Sequence, residues 1–191
     1  MSSLVLSPKP EIATTPNLEN ILIYLQQHQF VGIPLQNHLQ QTLTSHNFLV
    51  GEAFLHLITF MGCSPYIELE PQLDGKSFCY IHIDGPWTEL QLRYSDKTQS
   101  PRCHICHKRI TTWKETLELW LAQPINNIIE CPHCSNKQSL LDLSWRKDAG
   151  CGYLFINVEN IFPGEAVPVP KFLTKLATIT NTTWQYFYIQ S

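Results

Sequence analysis

Apolar positions along the chain change their period several times, and each change marks an element. Residues 1–16 carry Pro8, Pro10 and Pro16, show no period, and read as a loose arm. Leu18, Ile21, Leu22 and Leu25 then form the stripe of an amphipathic helix, with Asn17 placed to cap it and Glu19 in its first turn. Gly32 and Pro34 predict its stop, and Leu35, Leu39 and Leu43 suggest a second, Gln-rich helix. A third helix is expected from Asn47 to Met61, with Phe54, Leu57, Ile58 and Met61 facing inward and Gly62 at the left-handed residue that ends it.

The period then shortens. Pro65 forces an extended exit, and Tyr66–Leu69 and Phe78–Ile83 read as strands. Gly85-Pro86 is a turn, and Leu90, Leu92 and Tyr94 alternate in a further strand. The polar run from Ser95 to Pro101 marks a boundary, beyond which Trp113–Leu121 reads as a short helix and Ile125–Glu130 as a strand. Tyr153–Phe162 is apolar on both faces in its first half, as a central strand is. After Pro163-Gly164, Pro168 and Pro170 set up a helix whose inner face is Phe172, Leu173, Leu176 and Ile179, followed by an aromatic strand, Trp184–Ile189. Both flanks repeat a helix leading into a strand, at 47–69 and at 171–189. The expected fold class is therefore α+β: a small sheet with packed helices, made of residues 47–100 plus 147–191, interrupted by an inserted module at 101–146. Residues 1–46 supply the arm and an N-terminal helical segment.

Composition fits a compact chain: 43% of the 191 residues are hydrophobic and 15% charged. The net charge of −3 excludes a general electrostatic attraction to nucleic acid, but it is unevenly spread. Residues 101–150 sum to +2 and the remainder to −5. No basic segment followed by an apolar run opens the chain, and no stretch approaches the roughly 18 apolar residues of a membrane span. A soluble cytoplasmic protein is the expectation, and an odd total of seven cysteines suits a compartment where thiols stay reduced.

The candidate chemistry is concentrated in two C-x-x-C pairs, Cys103-His104-Ile105-Cys106 and Cys131-Pro132-His133-Cys134, 24 residues apart. A two-residue gap lets a tight turn aim both sulfurs at one point, and two such turns supply a tetrahedron of thiolates. Pro132, His107-Lys108 and Ser135-Asn136-Lys137 are the company such turns keep, and lysine offsets part of the thiolate charge. Over residues 101–140 the pattern resembles the zinc ribbon class. That resemblance implies a rubredoxin-like knuckle fold and one zinc ion on Cys103, Cys106, Cys131 and Cys134, and it implies no particular activity. Ser135 stands where glycine often follows, which leaves the second turn type open. Four thiolates close the coordination shell, so the metal is expected to be structural; iron is a minor alternative, and a redox C-x-x-C predicts one pair rather than two.

Other candidates are weaker. Arg102, Lys108, Arg109 and Lys114 lie beside Trp113, and basic residues next to an aromatic can grip a backbone and stack a base. Trp120 and Trp145 would extend that surface; the competing reading is a solvated face over tryptophans packed in a small core. Cys63, Ser64, His82 and Asp84 supply the parts of a nucleophile, base and orienter, against the simpler reading of a buried thiol and a structural histidine. Cys79 and Cys151 read as core thiols. The loop Pro163–Pro168 resembles loops of uncharacterised bacterial proteins, a likeness that implies no activity. The reading that follows is a non-catalytic, zinc-binding interaction protein, with a protein partner ahead of nucleic acid. A nucleic-acid binder acting through the basic face, and an enzyme with its site near Cys63 and His82, are the alternatives.

Overall fold

The computed structural model describes residues 2–10, 16–35, 45–61, 67–71, 77–122 and 128–190. In chain order the strands and helices are β1 (Ser2–Pro8), α1 (Leu18–Gln27), β2 (Val31–Pro34), β3 (Ser45–Val50), α2 (Phe54–Leu57), β4 (Ile58–Phe60), β5 (Tyr80–Asp84) and β6 (Gln91–Arg93). They continue with α3 (Trp113–Ala122), β7 (Ile128–Glu130), β8 (Lys137–Ser139), β9 (Gly150–Gly152), β10 (Phe155–Glu159), β11 (Ala166–Pro168), α4 (Pro170–Thr180) and β12 (Trp184–Gln190). The fold class is α+β. Its centre is a six-stranded antiparallel sheet in the order β12-β1-β10-β5-β3-β2.

Register decides which residues share a face, because directly paired residues project to the same side. Leu4 pairs with Val158, Val158 with Ile81 and Ile81 with Phe48, while Leu6, Ile156 and Ile83 form the next row. These rows are buried together with Ile21 and Leu25 of α1 and Phe172 and Leu176 of α4, so the two helices cover one face of the sheet. Phe172 ties the layers together, its ring 4.7 Å from that of Phe30 and 6.4 Å from that of Tyr24.

Helix α1 forms where its stripe predicts, and the Asn17 side chain accepts from the Asn20 backbone N–H. Strands β5, β6 and β10, helices α3 and α4, and strand β12 also form where expected, with β5, α3 and β12 running one residue past the expected ends. Four expectations fail. Residues 2–8 are not a loose arm but strand β1, the second strand of the sheet, hydrogen-bonded on both sides. Its apolar run, Leu4-Val5-Leu6, is too short to show a period, and Ser3 and Ser7 disguise it although both are buried. Asn47–Met61 is not one helix: Asn47 lies within β3, α2 spans only Phe54–Leu57, and β4 follows at once. The partner sheet overrides local preference here, since Phe48 is buried against Ile81 and a Cβ on Gly51 would sit 2.0 Å from the Gln29 carbonyl oxygen. Residues 67–69 form no strand. Gly32 and Pro34, expected as helix stops, belong to edge strand β2, where proline is tolerated. The Leu35–Leu43 helix, Gly62, Cys63, Pro65 and Tyr66 fall outside the described residues, Leu35 excepted.

The opposite sheet face is divided. One part carries Val5, Phe155 and Phe187, and β9 crosses it closely. A Cβ on Gly150 would lie 2.2 Å from the Phe187 ring, and one on Gly152 2.1 Å from the Ser7 hydroxyl, so the Gly-Cys-Gly sequence is what allows this approach. Strand β9 pairs with β6. Beyond it lies a second cluster of buried residues built on Ile110, Trp113, Leu117, Trp120, Ile129, Leu140, Leu143 and Trp145, together with Cys103 and Cys131. Among the described residues no helix is long and apolar enough to cross a membrane.

Candidate metal centre

The two C-x-x-C turns adopt the same backbone geometry. In the first, the Cys103 N–H donates to the Lys108 carbonyl at 3.0 Å and the His107 N–H to the Cys103 carbonyl at 3.0 Å. In the second, Cys131 donates to Asn136 and Ser135 to Cys131, each at 2.9 Å. His107 and Ser135 occupy equivalent places and share a left-handed conformation, with φ of 58° and 56°. Ser135 therefore completes the turn without glycine, which closes the question its identity raised.

These turns bring Cys103, Cys106, Cys131 and Cys134 together, with all four sulfurs within 4.8 Å of one another. Cys103 and Cys134 are 3.8 Å apart and Cys106 and Cys131 3.7 Å. A sulfur-sulfur bond is about 2.05 Å, so neither pair is a disulfide. Ligands about 2.3 Å from a central ion in a tetrahedron lie about 3.8 Å apart along its edges, the spacing of the Cys103–Cys134 and Cys106–Cys131 pairs. The donor set thus fits a tetrahedral metal ion. Cys103 and Cys131 are buried in the module's core, Cys106 is half-buried and Cys134 is exposed.

Sequence reasoning missed Gln138. Its buried amide donates to the Cys103 sulfur at 3.1 Å, and its carbonyl oxygen faces both the His104 backbone N–H at 3.1 Å and His104 Nδ1 at 2.9 Å. It lies in β8, the strand after the second turn, and locks the first turn to it. In sequence it is one glutamine among many; only the fold marks it. Hydrogen bonds draw the Cys103 thiol down to about 6, the Cys106 backbone N–H foremost, with burial opposing and the Gln138 amide and Ile105 N–H adding. Cys134 is displaced the other way, to about 12: the Asn136 N–H works against that shift, while burial and the neighbouring sulfurs of Cys131, Cys106 and Cys103 produce it. Four sulfurs this close cannot all be anionic in water without a cation between them.

The histidines in the turns are engaged elsewhere. His104 meets Gln138, and His133 Nε2 faces the Arg109 carbonyl at 3.1 Å. Of the basic residues, Arg102 donates through its guanidinium to the His107 carbonyl at 2.7 Å and bridges through its backbone to Ser144. Lys108, Arg109 and Lys114 are exposed, the last 5.6 Å over the Trp113 ring. Trp113 is not a stacking platform. It is 2% exposed, edge-on to Trp145 at 5.2 Å and to Tyr94 at 5.5 Å, because the small module needs its ring as core. Trp120 and Trp145 are buried with it.

His82 is half-buried and its Nδ1 lies 2.7 Å from the side-chain amide oxygen (Oδ1) of Asn47, the residue paired with it across β3 and β5. Asp84 is ion-paired with Arg93, so it does not orient His82. Cys63 and Ser64 lie outside the described residues. Cys79 and Cys151 are buried as expected, and burial pushes both thiols up to about 12, with Glu159 adding to the shift at Cys79. Comparison of the chain with protein-family models, curated proteins and solved structures finds no match.

Proposed function

We propose that this chain is a zinc-binding, non-catalytic interaction protein of a reducing compartment, in which one closed zinc site holds a small contact module against a larger sheet. The observation that carries the reading is the sulfur spacing of 3.7 and 3.8 Å around a common centre. Four thiolates prefer zinc among abundant divalent ions, with iron as the alternative, and they leave no coordination position for water or substrate. The metal would supply folding energy, and its charge would relieve the repulsion among the sulfurs. Residues 101–146 would act as the inserted module, and the six-stranded sheet with α1 and α4, which takes in the N-terminal strands as well as the segments on either side of the module, as its support.

A protein partner is favoured over nucleic acid by what the module exposes. Its three tryptophans are buried, whereas Ile105 at the tip of the first turn is 54% exposed among His104, Lys108 and Arg109. An apolar centre within a polar rim is the layout of a protein contact. Metal analysis of the purified, reduced full chain is expected to give one zinc per chain. Affinity capture should then lose its specific partners in Ile105→Asp while zinc content stays unchanged; identical partner sets would sink the interaction reading. Retention on single-stranded RNA that falls with salt and vanishes in a Lys108→Glu, Arg109→Glu variant would replace it with the nucleic-acid reading.

A further inference from the structure

Between the end of β1, strand β12 and the segment after β8 lies a cavity of about 610 Å³, separate from the sulfur cluster. Pockets that enclose small ligands run from roughly 300 to 1,000 Å³. Among the described residues its charged lining is lopsided: Lys9, Arg146 and Lys147 against Asp142. Asp142 is already used, accepting the Ser139 backbone N–H in a reciprocal cap. None of the three cations is in an ion pair among the described residues. Arg146 donates to the Gln99 side chain at 2.9 Å. Lys147 lies 3.9 Å over the Tyr186 ring and donates to its hydroxyl oxygen, which leaves the Tyr186 O–H free to donate onward.

The backbone makes the arrangement more telling. Arg146 and Lys147 are consecutive and both left-handed, with φ of 50° and 68°. Each such residue with a side chain carries a steric cost that glycine would avoid. The turn is held from both sides: Asp148 donates to the Trp145 carbonyl at 2.9 Å, and Tyr188 of β12 to the Lys147 carbonyl at 2.8 Å. Lys9 is pinned on the opposite wall by its backbone N–H to Thr183 at 2.8 Å and by Thr182 donating to its carbonyl at 3.1 Å. Stability alone favours Gly or Asn at both turn positions and an acid nearby. The fold instead fixes three cations without an acidic partner among the described residues, and a phenolic donor, around one hollow; strain held in place by its surroundings is characteristic of ligand clamps.

We propose that this cavity binds a small organic phosphate. The phosphate would meet Lys9, Arg146, Lys147 and the Tyr186 O–H, and the organic part would lie against Leu143 and Trp145, which are buried in the lining. A dianion matches the net charge of the lining, and the space exceeds what a bare phosphate fills. The inference is independent of the metal.

The test is calorimetric titration of the full chain with inorganic phosphate, adenosine 5′-monophosphate, glucose 6-phosphate and uncharged adenosine. At least one of the two esters is expected to bind with a Kd of about 1 mM or tighter, and adenosine not at all. Arg146→Asn and Lys147→Asn should each weaken binding about tenfold or more, the loss of one charge-assisted hydrogen bond, while the melting temperature holds or rises because asparagine accepts the left-handed conformation. Lys9→Gln, on the other wall and free of backbone strain, must weaken it as well and decides the matter if the turn variants fold poorly. Lys108→Asn, exposed in the first cysteine turn, should bind as wild type does. No binding of either ester, affinity unchanged in Lys9→Gln, or inorganic phosphate binding as tightly as the esters would overturn the assignment.

Discussion

The large sheet and the cysteine module bury their cores by different means. Among the described residues the main cluster joins twenty-one buried residues from both layers of a sheet and two helices. The module's cluster has eleven, and two of them are Cys103 and Cys131. A layer of that size cannot exclude water well by apolar contact alone, so it rests on three tryptophans and on a cage of sulfurs. The main sheet holds itself by area; the module holds itself by a point. The two meet at β9, where Gly150 and Gly152 press on Phe187 and Ser7. Where residues are too few to form a core, coordination by the four converging sulfurs would take its place.

The sharpest way to break that contrast is to remove a ligand. Cys131→Ser should abolish metal binding and melt the module, because roughly 10–16 kcal/mol of apparent metal-binding energy would be lost. Tryptophan fluorescence should report the loss of Trp113, Trp120 and Trp145 packing, while amides of β1, β5 and β10 stay protected from hydrogen exchange. Loss of protection across the whole sheet would mean that the two regions fold as one. The reciprocal experiment is Phe172→Ala, which should destabilise the main sheet by about 3–5 kcal/mol in denaturant unfolding and leave zinc stoichiometry intact.

At the seam, Gly150→Ala would force a methyl group into the Phe187 ring. A loss of about 1–3 kcal/mol is expected, shared by tryptophan and sheet signals alike. Inside the module, Gln138→Ala should weaken zinc about 10–100-fold in a competitive chelator titration, since the Cys103 sulfur and the first turn both lose a partner. Normal affinity would remove Gln138 from the site.

The smallest effect concerns acid. Burial holds His82 below the ordinary histidine value of 6.5, with Asp84 acting the other way and Arg93 and His46 adding to the depression. The unfolded chain therefore binds more protons than the folded one between that depressed value and 6.5. Stability from this group is full above that range and falls as pH drops through it. His82→Gln should flatten the dependence of the sheet's urea midpoint between about pH 7 and 5, whereas the module's acid sensitivity, set by thiolate protonation, should persist.

Much of this was readable from residue order. The two cysteine turns, the Asn17 cap, the α4 stripe and the central strand at 155–159 are local patterns whose physics acts within a few residues. The misreadings were of another kind. Strand β1 is seven residues long, between two serines and a proline, and nothing nearby says that both its edges will be paired by segments some 150 and 180 positions away. The stretch 47–61 offered helical spacing, yet the apolar wall at Ile81 and the crowding of Gly51 against Gln29 left only the short α2 between strands.

What the sequence determined by itself was which four cysteines converge and the α+β class, because spacing within a turn and period within an element are short-range constraints. Only the tertiary structure decided that Trp113 is core rather than surface, that Gln138 supports Cys103, and that Lys9, Arg146 and Lys147 line one cavity. Those outcomes depend on which distant segments are brought within a few ångströms, and that is fixed by how much apolar surface the whole chain can bury at once rather than by any neighbourhood along it.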